Sequence, residues 1–191
     1  MSIVREIRPA VSMVVFFTIV LGLIVPGIFT GLMQEVLPWQ ANGSLISENS
    51  QKVGSAIIGQ NFTDAKYFQP RPSALDKPYD AGTSGASNLA PTSAALMKAV
   101  AQRVAAYIKA YGPGPVPADA VTSSGSGLDP DISLANALRQ APAVAAARHL
   151  PTATMLDLVT KMTHHAFLGV IGTDHVNVLE LNLALDHLPA S

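Results

Sequence analysis

The sequence predicts an α+β protein, with one N-terminal transmembrane helix followed by a single extracytoplasmic domain of mixed helices and strands. Three observations carry that expectation. Residues 9–33 form an uncharged apolar run. After residue 53, stretches with helical spacing of apolar residues mix with short strand-like ones. A chain of 191 residues holds one anchor and one compact core, but two full domains would be crowded. Charged residues make up 13% of the chain, about half the usual share, a shift that also asks for a membrane segment.

The run Pro9–Met33 reads PAVSMVVFFTIVLGLIVPGIFTGLM and rises about 36 Å as a helix, enough to cross the hydrocarbon core. A cleaved signal would have a shorter apolar stretch and a small-x-small exit. Phe29-Thr30-Gly31-Leu32-Met33 does not supply one, so an uncleaved anchor is expected. Arg5 and Arg8 precede the span and the next basic residue is Lys52, which puts residues 1–8 in the cytoplasm and the main domain outside. Pro26 and Gly27 should loosen the second half of the helix. Gly22, Gly27 and Gly31 are candidate positions for close packing of another helix. Trp39, following Pro38, suits the membrane interface.

Residues 34–52 are polar and punctuated and read as a juxtamembrane linker, leaving residues 53–191 as the domain. The run Val53–Ile58 suggests a strand. Residues 60–91 carry Pro70, Pro72, Pro78 and Pro91 among Phe62, Tyr67, Phe68 and Tyr79, a long loop that buried aromatics can order. A helix is expected from Pro91 to Tyr111, with Leu96, Val100, Val104, Ile108 and Tyr111 along one face and Gly112-Pro113 as the stop. Asp129-Pro130-Asp131-Ile132-Ser133 offers capping groups for a second helix to Gln140. Pro142 should interrupt it before a short helix Ala143–His149. A third helix spans about Thr152–Met162. Val176–Leu185 reads as a strand whose apolar residues change parity after Val178, as a bulge would allow.

The residues exclude several chemistries. There is no cysteine, so disulfides, thiolate metal sites and a cysteine nucleophile are ruled out. Beyond residue 33 there are 10 basic and 12 acidic side chains, so no basic face for nucleic acid is implied. The segment 143–160 could pass for a helix-turn-helix, but Arg148 is its only cation. Gly54-Ser55-Ala56-Ile57-Ile58-Gly59-Gln60 has the glycine spacing of a phosphate-binding loop, but Gln60 and Asn61 stand where the lysine and the Ser/Thr should be. A strand flanked by close-packing glycines is the better reading. His149, His164, His165 and His175, even beside Asp174, fall into no metal-ligand spacing. Ser126, between Gly125 and Gly127 and near Asp129, leaves a membrane-tethered serine hydrolase using one of the histidines as an alternative. The G-x-S-x-G elbow is absent.

Several stretches, taken in order, resemble a known family. Gly54-Ser55 with Ile58-Gly59-Gln60, Phe62, Tyr67-Phe68 and Arg71-Pro72-Ser73-Ala74 are similar to the segment after the anchor in the C-subunit family of the bacterial Kdp potassium-transporting P-type ATPases. Ser84–Thr92 resembles that family's S-G-G-S-N-L-G-P-T, and Ser124–Pro130 its S-x-S-G-L-D-P. Val176–Leu179 with Leu181–Leu185 completes the set. Ala86 and Ala90 depart from the usual glycines, and Asp131 and Leu134 from the usual His and Pro. The resemblance implies a non-catalytic accessory subunit of a four-part complex, with a potassium-conducting A subunit, an ATP-hydrolysing B subunit and a small F subunit as partners. It further implies a catalytic chaperone that raises the B subunit's affinity for ATP. ATP is thus implied for the complex, while this chain carries neither a phosphorylation motif nor a phosphate loop of its own. Gln60, Arg71, Asn88 and Asp129 are the positions expected to order the long loops or meet partners.

Overall fold

A computed structural model describes residues 3–188. The chain divides into two compact units that meet in sequence between Leu45 and Ile46.

The first unit is mostly helix. Helix α1 (Ile3–Ile19) passes through a π-helical turn, Val20–Ile24, into α2 (Val25–Val36). Arg5–Val36 is a continuous helical stretch of 32 residues, apolar enough to cross a membrane and with none of its most apolar window buried. The π turn has a local cause. Pro26 has no N–H to give the carbonyl four residues back, and its ring crowds that carbonyl. Widening the preceding turn relieves the clash, and the Val25 N–H then reaches back to the Val20 carbonyl. Pro26 therefore alters the ladder without ending the helix. A short helix α3 (Pro38–Ala41) follows, and the Trp39 indole donates to the Leu45 carbonyl at 3.0 Å.

Residues 34–52 are more ordered than a linker. Besides α3 they contain strand β1 (Leu45–Glu48), which pairs with β2 (Gln51–Ser55). The two residues between the strands, Asn49 and Ser50, have φ of 47° and 66°, the conformation of a tight type I′ hairpin. Serine at the second position, where glycine is usual, disguised the turn in the sequence.

The larger unit holds the core. Helix α4 (Ala94–Tyr111) starts at the N-cap Ser93, whose Oγ accepts from Leu96 N, and ends at Gly112, with φ 85°. Its buried residue is Tyr107, so the inward stripe runs through Tyr107 and not Ile108, which is exposed. A 3-10 turn (Ala118–Ala120) leads to β3 (Asp131–Ser133), α5 (Leu134–Ala147), α6 (Thr152–Lys161), β4 (Thr163–His164), β5 (His175–Asn177) and α7 (Val178–Asp186). The second sheet is antiparallel in the order β3-β5-β4, with Ile132 opposite Val176 and His164 opposite His175.

Two expectations fail here, for related reasons. Helix α5 runs through Pro142 without a break. The proline lies on the solvent side, where the Leu138 carbonyl it leaves unpaired can meet water, while Ala137, Ala141, Val144 and Ala145 hold the other face in the core. The run Val176–Leu185 is three strand residues followed by a helix, not one bulged strand. The parity change marks the point where the period passes from 2 to 3.6. Asn177 ends the strand and caps the helix, its Oδ1 accepting from Glu180 N at 3.1 Å. Ser133 does the same between β3 and α5, accepting from Asn136 N. Phe68, Ile132, Met155, Val159, Val176, Leu181 and Leu185 form the centre of the core with the α5 face.

Candidate functional site

The long loop 60–91 is ordered by a hub built from residues 124–129. Gly59 N donates to Leu128 O, Gly85 N to Ser126 O and Ser73 Oγ to Gly127 O, at 2.8, 2.9 and 2.8 Å. These bonds tie both ends and the middle of the loop to one short turn. Gly59 and Gly127 have to be glycine for different reasons. A Cβ at Gly59 would meet the Tyr79 ring and the Asp129 carbonyl, while Gly127 combines a φ of 69° with close contact to Leu75.

At the centre of the hub, Arg71 Nη1 pairs with Asp129 Oδ2 at 2.6 Å and Nη2 reaches Thr122 O at 3.4 Å. The pair is partly screened from water, and Tyr79 covers it, its hydroxyl donating to Arg71 O at 2.7 Å. Burial and the Asp129 charge push the Tyr79 phenol well above its ordinary value, so it stays a protonated donor. The other Asp129 oxygen accepts from Asp131 N at 3.1 Å. Arg71 and Asp129, named separately from the sequence, are thus one unit, 58 residues apart in the chain.

Gln60 lies beside this hub and does a different job. Its Nε2 donates to Val53 O at 2.7 Å, folding the side chain against Gly54, whose other neighbour is Leu179. The glycines of the 54–59 segment are closed by side chains and do not frame a phosphate cradle. Asn88 sits at φ 51° in an exposed irregular stretch, away from the Arg71–Asp129 pair in the bonding pattern. Gly22, Gly27 and Gly31 have nothing within 4 Å of an added Cβ and lie on open helix surface.

A second set of polar residues escaped the sequence reading. Buried Asn182 accepts from Phe68 N at 2.8 Å and donates to Phe68 O at 3.0 Å, clamping one peptide in the core. Gln140 clamps Gln69 in the same way, at 2.7 and 3.1 Å. Asp119 binds Ser133 N, Ser133 Oγ and Asn136 Nδ2, and Tyr107 donates to Asn136 Oδ1 at 2.9 Å. A cleft of about 410 Å³ opens over this network, lined by Phe62, Tyr79, Arg103, Tyr107, Tyr111 and Gln140 among others. The usable signal was the spacing Ser133–Asn136–Gln140, polar groups on the otherwise apolar inward face of α5.

The hydrolase alternative finds no support. The Ser126 hydroxyl is occupied within its own turn, accepting from Leu128 N at 3.1 Å and lying 3.3 Å from Ser124 Oγ. His164, His165 and His187 pair instead with Glu180, Asp174 and Glu48. Asp131 is raised by burial, an effect that nearby His175 partly opposes, while the Ala166 N–H and His165 hold exposed Asp174 below the usual carboxylate range. Among the described residues no group of three or more His, Asp or Glu is placed to hold a metal.

Comparison with known proteins agrees with the sequence motifs. The family model described as "KdpC: K+-transporting ATPase, c chain" matches residues 7–187. The potassium-transporting ATPase KdpC subunit of Acidobacterium capsulatum is 50% identical over 184 residues, covering 96% of this chain and 99% of that one. The KdpC subunit of Gemmatimonas aurantiaca is 50% identical over 98% of this chain and 95% of its own. That of Mycobacterium tuberculosis is 49% identical over 96% and 99%. With the match running from the N-terminal apolar helix into the last helix, this chain belongs to the KdpC family, the c chain of K+-transporting ATPases.

Proposed function

We propose that this chain is a non-catalytic accessory subunit of an ATP-driven potassium uptake complex in a bacterial inner membrane. The observation that carries the reading is the unbroken similarity to KdpC subunits at about half identity, anchor included. The partners it implies are a potassium-conducting A subunit, an ATP-hydrolysing B subunit and a small F subunit. The apolar helix holds the chain in the bilayer, and the open surface around Gly22, Gly27 and Gly31 lets a neighbouring helix approach closely. The Arg71–Asp129 hub serves to hold the long loops in one arrangement, giving partner subunits a fixed surface.

The catalytic-chaperone role then works through helix packing. ATP is cytoplasmic, whereas Arg5 and Arg8 favour a cytoplasmic N-terminus and an external domain. An effect on ATP affinity therefore reaches the B subunit as a coupling energy of about 1–3 kcal/mol. Hydrolysis by the complex with and without this chain should show an apparent ATP affinity changed by about 5–150-fold, with the higher affinity when the chain is present. An unchanged ATP dependence would remove the chaperone role. The topology has its own test, in which protease added to intact spheroplasts digests the domain and leaves a small anchored fragment. Protection of the domain would reverse the orientation.

A further inference from the structure

Helix α4 presents Arg103, Ala106, Tyr107, Ala110 and Tyr111 to the cleft of about 410 Å³, a spacing that places them on one face. A helix face turned toward its own domain ordinarily carries larger side chains. Ala106 and Ala110 are exposed instead, so a hollow stays open between α4 and the loop segments opposite. Its volume falls within the range of small-molecule sites, about 300–1,000 Å³.

The walls of the hollow are fixed in advance. Gln140 clamps Gln69 by its N–H and carbonyl, Arg71 is pinned to Asp129, and the Tyr79 hydroxyl holds the Arg71 carbonyl. Pro70, Pro72 and Pro78 stiffen the same wall. The polar groups of the floor are already engaged, because Asn136 Oδ1 accepts from both the Tyr107 hydroxyl and Gln140 Nε2. What the lining leaves for a ligand is mainly aromatic and proline ring surface, with Phe62, Tyr79 and Tyr111 contributing most of the aromatic part.

The charge of the cleft is one-sided. Arg71 and Arg103 line it, with no aspartate or glutamate beside them. Asp129 neutralises Arg71, whose Nε is nevertheless buried without a hydrogen-bond partner. Arg103 gives one bond, from Nη1 to Val121 O at 3.1 Å, and pairs with no carboxylate among the described residues. Just outside the lining, Lys77 pairs with Asp80, and Arg139 and Asp119 act on the Tyr107 phenol with opposite sign. The cleft thus carries a single uncompensated positive charge, on a guanidinium whose remaining N–H groups form a planar fork suited to a carboxylate. One charge selects a monoanion over a polyphosphate, and the rings select an aromatic body. We propose that this cleft binds a small aromatic monocarboxylate, with the ring of the ligand against the tyrosines and its carboxylate on Arg103.

The test uses the full chain in phosphatidylcholine nanodiscs, with phenylpropionate and the uncharged phenylpropionamide as probes. Saturation-transfer NMR reads binding, and empty nanodiscs give the background. The acid should bind with a Kd of about 1 mM, the scale for so small a ligand, and the amide about tenfold more weakly. Arg103→Gln removes the charge but keeps an amide donor for Val121 O, so it should abolish that preference and leave amide binding unchanged. Ala110→Leu, at an exposed helix position, should fill the hollow and remove binding of both probes. No binding of the acid to the parent chain up to about 10 mM, equal binding of acid and amide, or an acid preference that survives Arg103→Gln would overturn the inference. So would undiminished binding to folded Ala110→Leu, or displacement of the acid by an equal concentration of ATP, the behaviour of a polyanion site. If Ala110→Leu does not fold, the acid preference of the parent and its loss in Arg103→Gln still decide.

Discussion

Replacing Gly127 with valine should be among the most damaging single changes in the domain, costing about 2–5 kcal/mol. Two effects add. A φ of 69° is left-handed, which costs a side chain with a Cβ about 1–2 kcal/mol, and a β-branched residue is the worst placed to adopt it. The new Cβ would also stand 2.8 Å from Leu75 Cγ and 2.9 Å from the Gly85 carbonyl, an overlap that typically costs a further 1–3 kcal/mol. The carbonyl is backbone and cannot rotate away. Because Gly127 O and Ser126 O hold Ser73 and Gly85, moving the turn should also release part of the 60–91 loop. Gly125→Ala is the control, since nothing lies within 4 Å of its added Cβ, and it should stay within about 0.5 kcal/mol of the parent. Thermal unfolding of the full chain in detergent, with limited proteolysis of the loop, separates the two variants. Equal stabilities would mean the turn relaxes in solution and the hub does not constrain the loop.

Asn182→Leu is expected to be of similar severity although the two side chains are close in size. Asn182 is 2% exposed and Phe68 is fully buried, so the Phe68 N–H and carbonyl have no water to turn to. Leucine fills the volume but leaves one donor and one acceptor unsatisfied, at about 1–3 kcal/mol each. The expected loss is about 2–6 kcal/mol, a large part of the 5–15 kcal/mol by which domains are stable. The mechanism predicts that the loss shows as a lower guanidinium midpoint with little change in slope, because the exposed surface on unfolding is the same. A loss under about 1 kcal/mol would mean that water reaches the Phe68 peptide or that the 67–69 segment shifts to find other partners.

Asn182 also shows why parts of the domain were unreadable from sequence. Asn182 lies within Leu181-Asn182-Leu183, where it resembles the outward residue of an alternating strand. Its inward position follows from the helical period, and that period becomes visible only once Asn177 is recognised as a cap. Asparagine followed three residues later by glutamate was the available signal, and the leucine alternation outweighed it. Pro142 misled in the opposite direction. A local rule about helix breaking gave way to a tertiary fact, the burial of Ala137, Ala141, Val144 and Ala145 along the far side of α5. The hairpin at 45–55 was hidden by Ser50 in a conformation where glycine is the stronger cue.

By itself the sequence determined the features whose causes are local or additive. The apolar helix follows from an uncharged run whose hydropathy needs no partner to be read, and α4 and α6 from the helical spacing of their apolar residues. The family followed from the order of short motifs. Arg71, Asp129 and the glycines at 54 and 59 could be singled out as residue types in unusual settings. Only the tertiary structure decided what they meet: Arg71 with Asp129, Gly59 with Tyr79, and Asn182 with Phe68, 114 residues away. Local propensity acts between near neighbours in the chain, whereas desolvation and close packing act between neighbours in space. A buried amide or a tight glycine therefore has its meaning set by residues that no window of sequence contains.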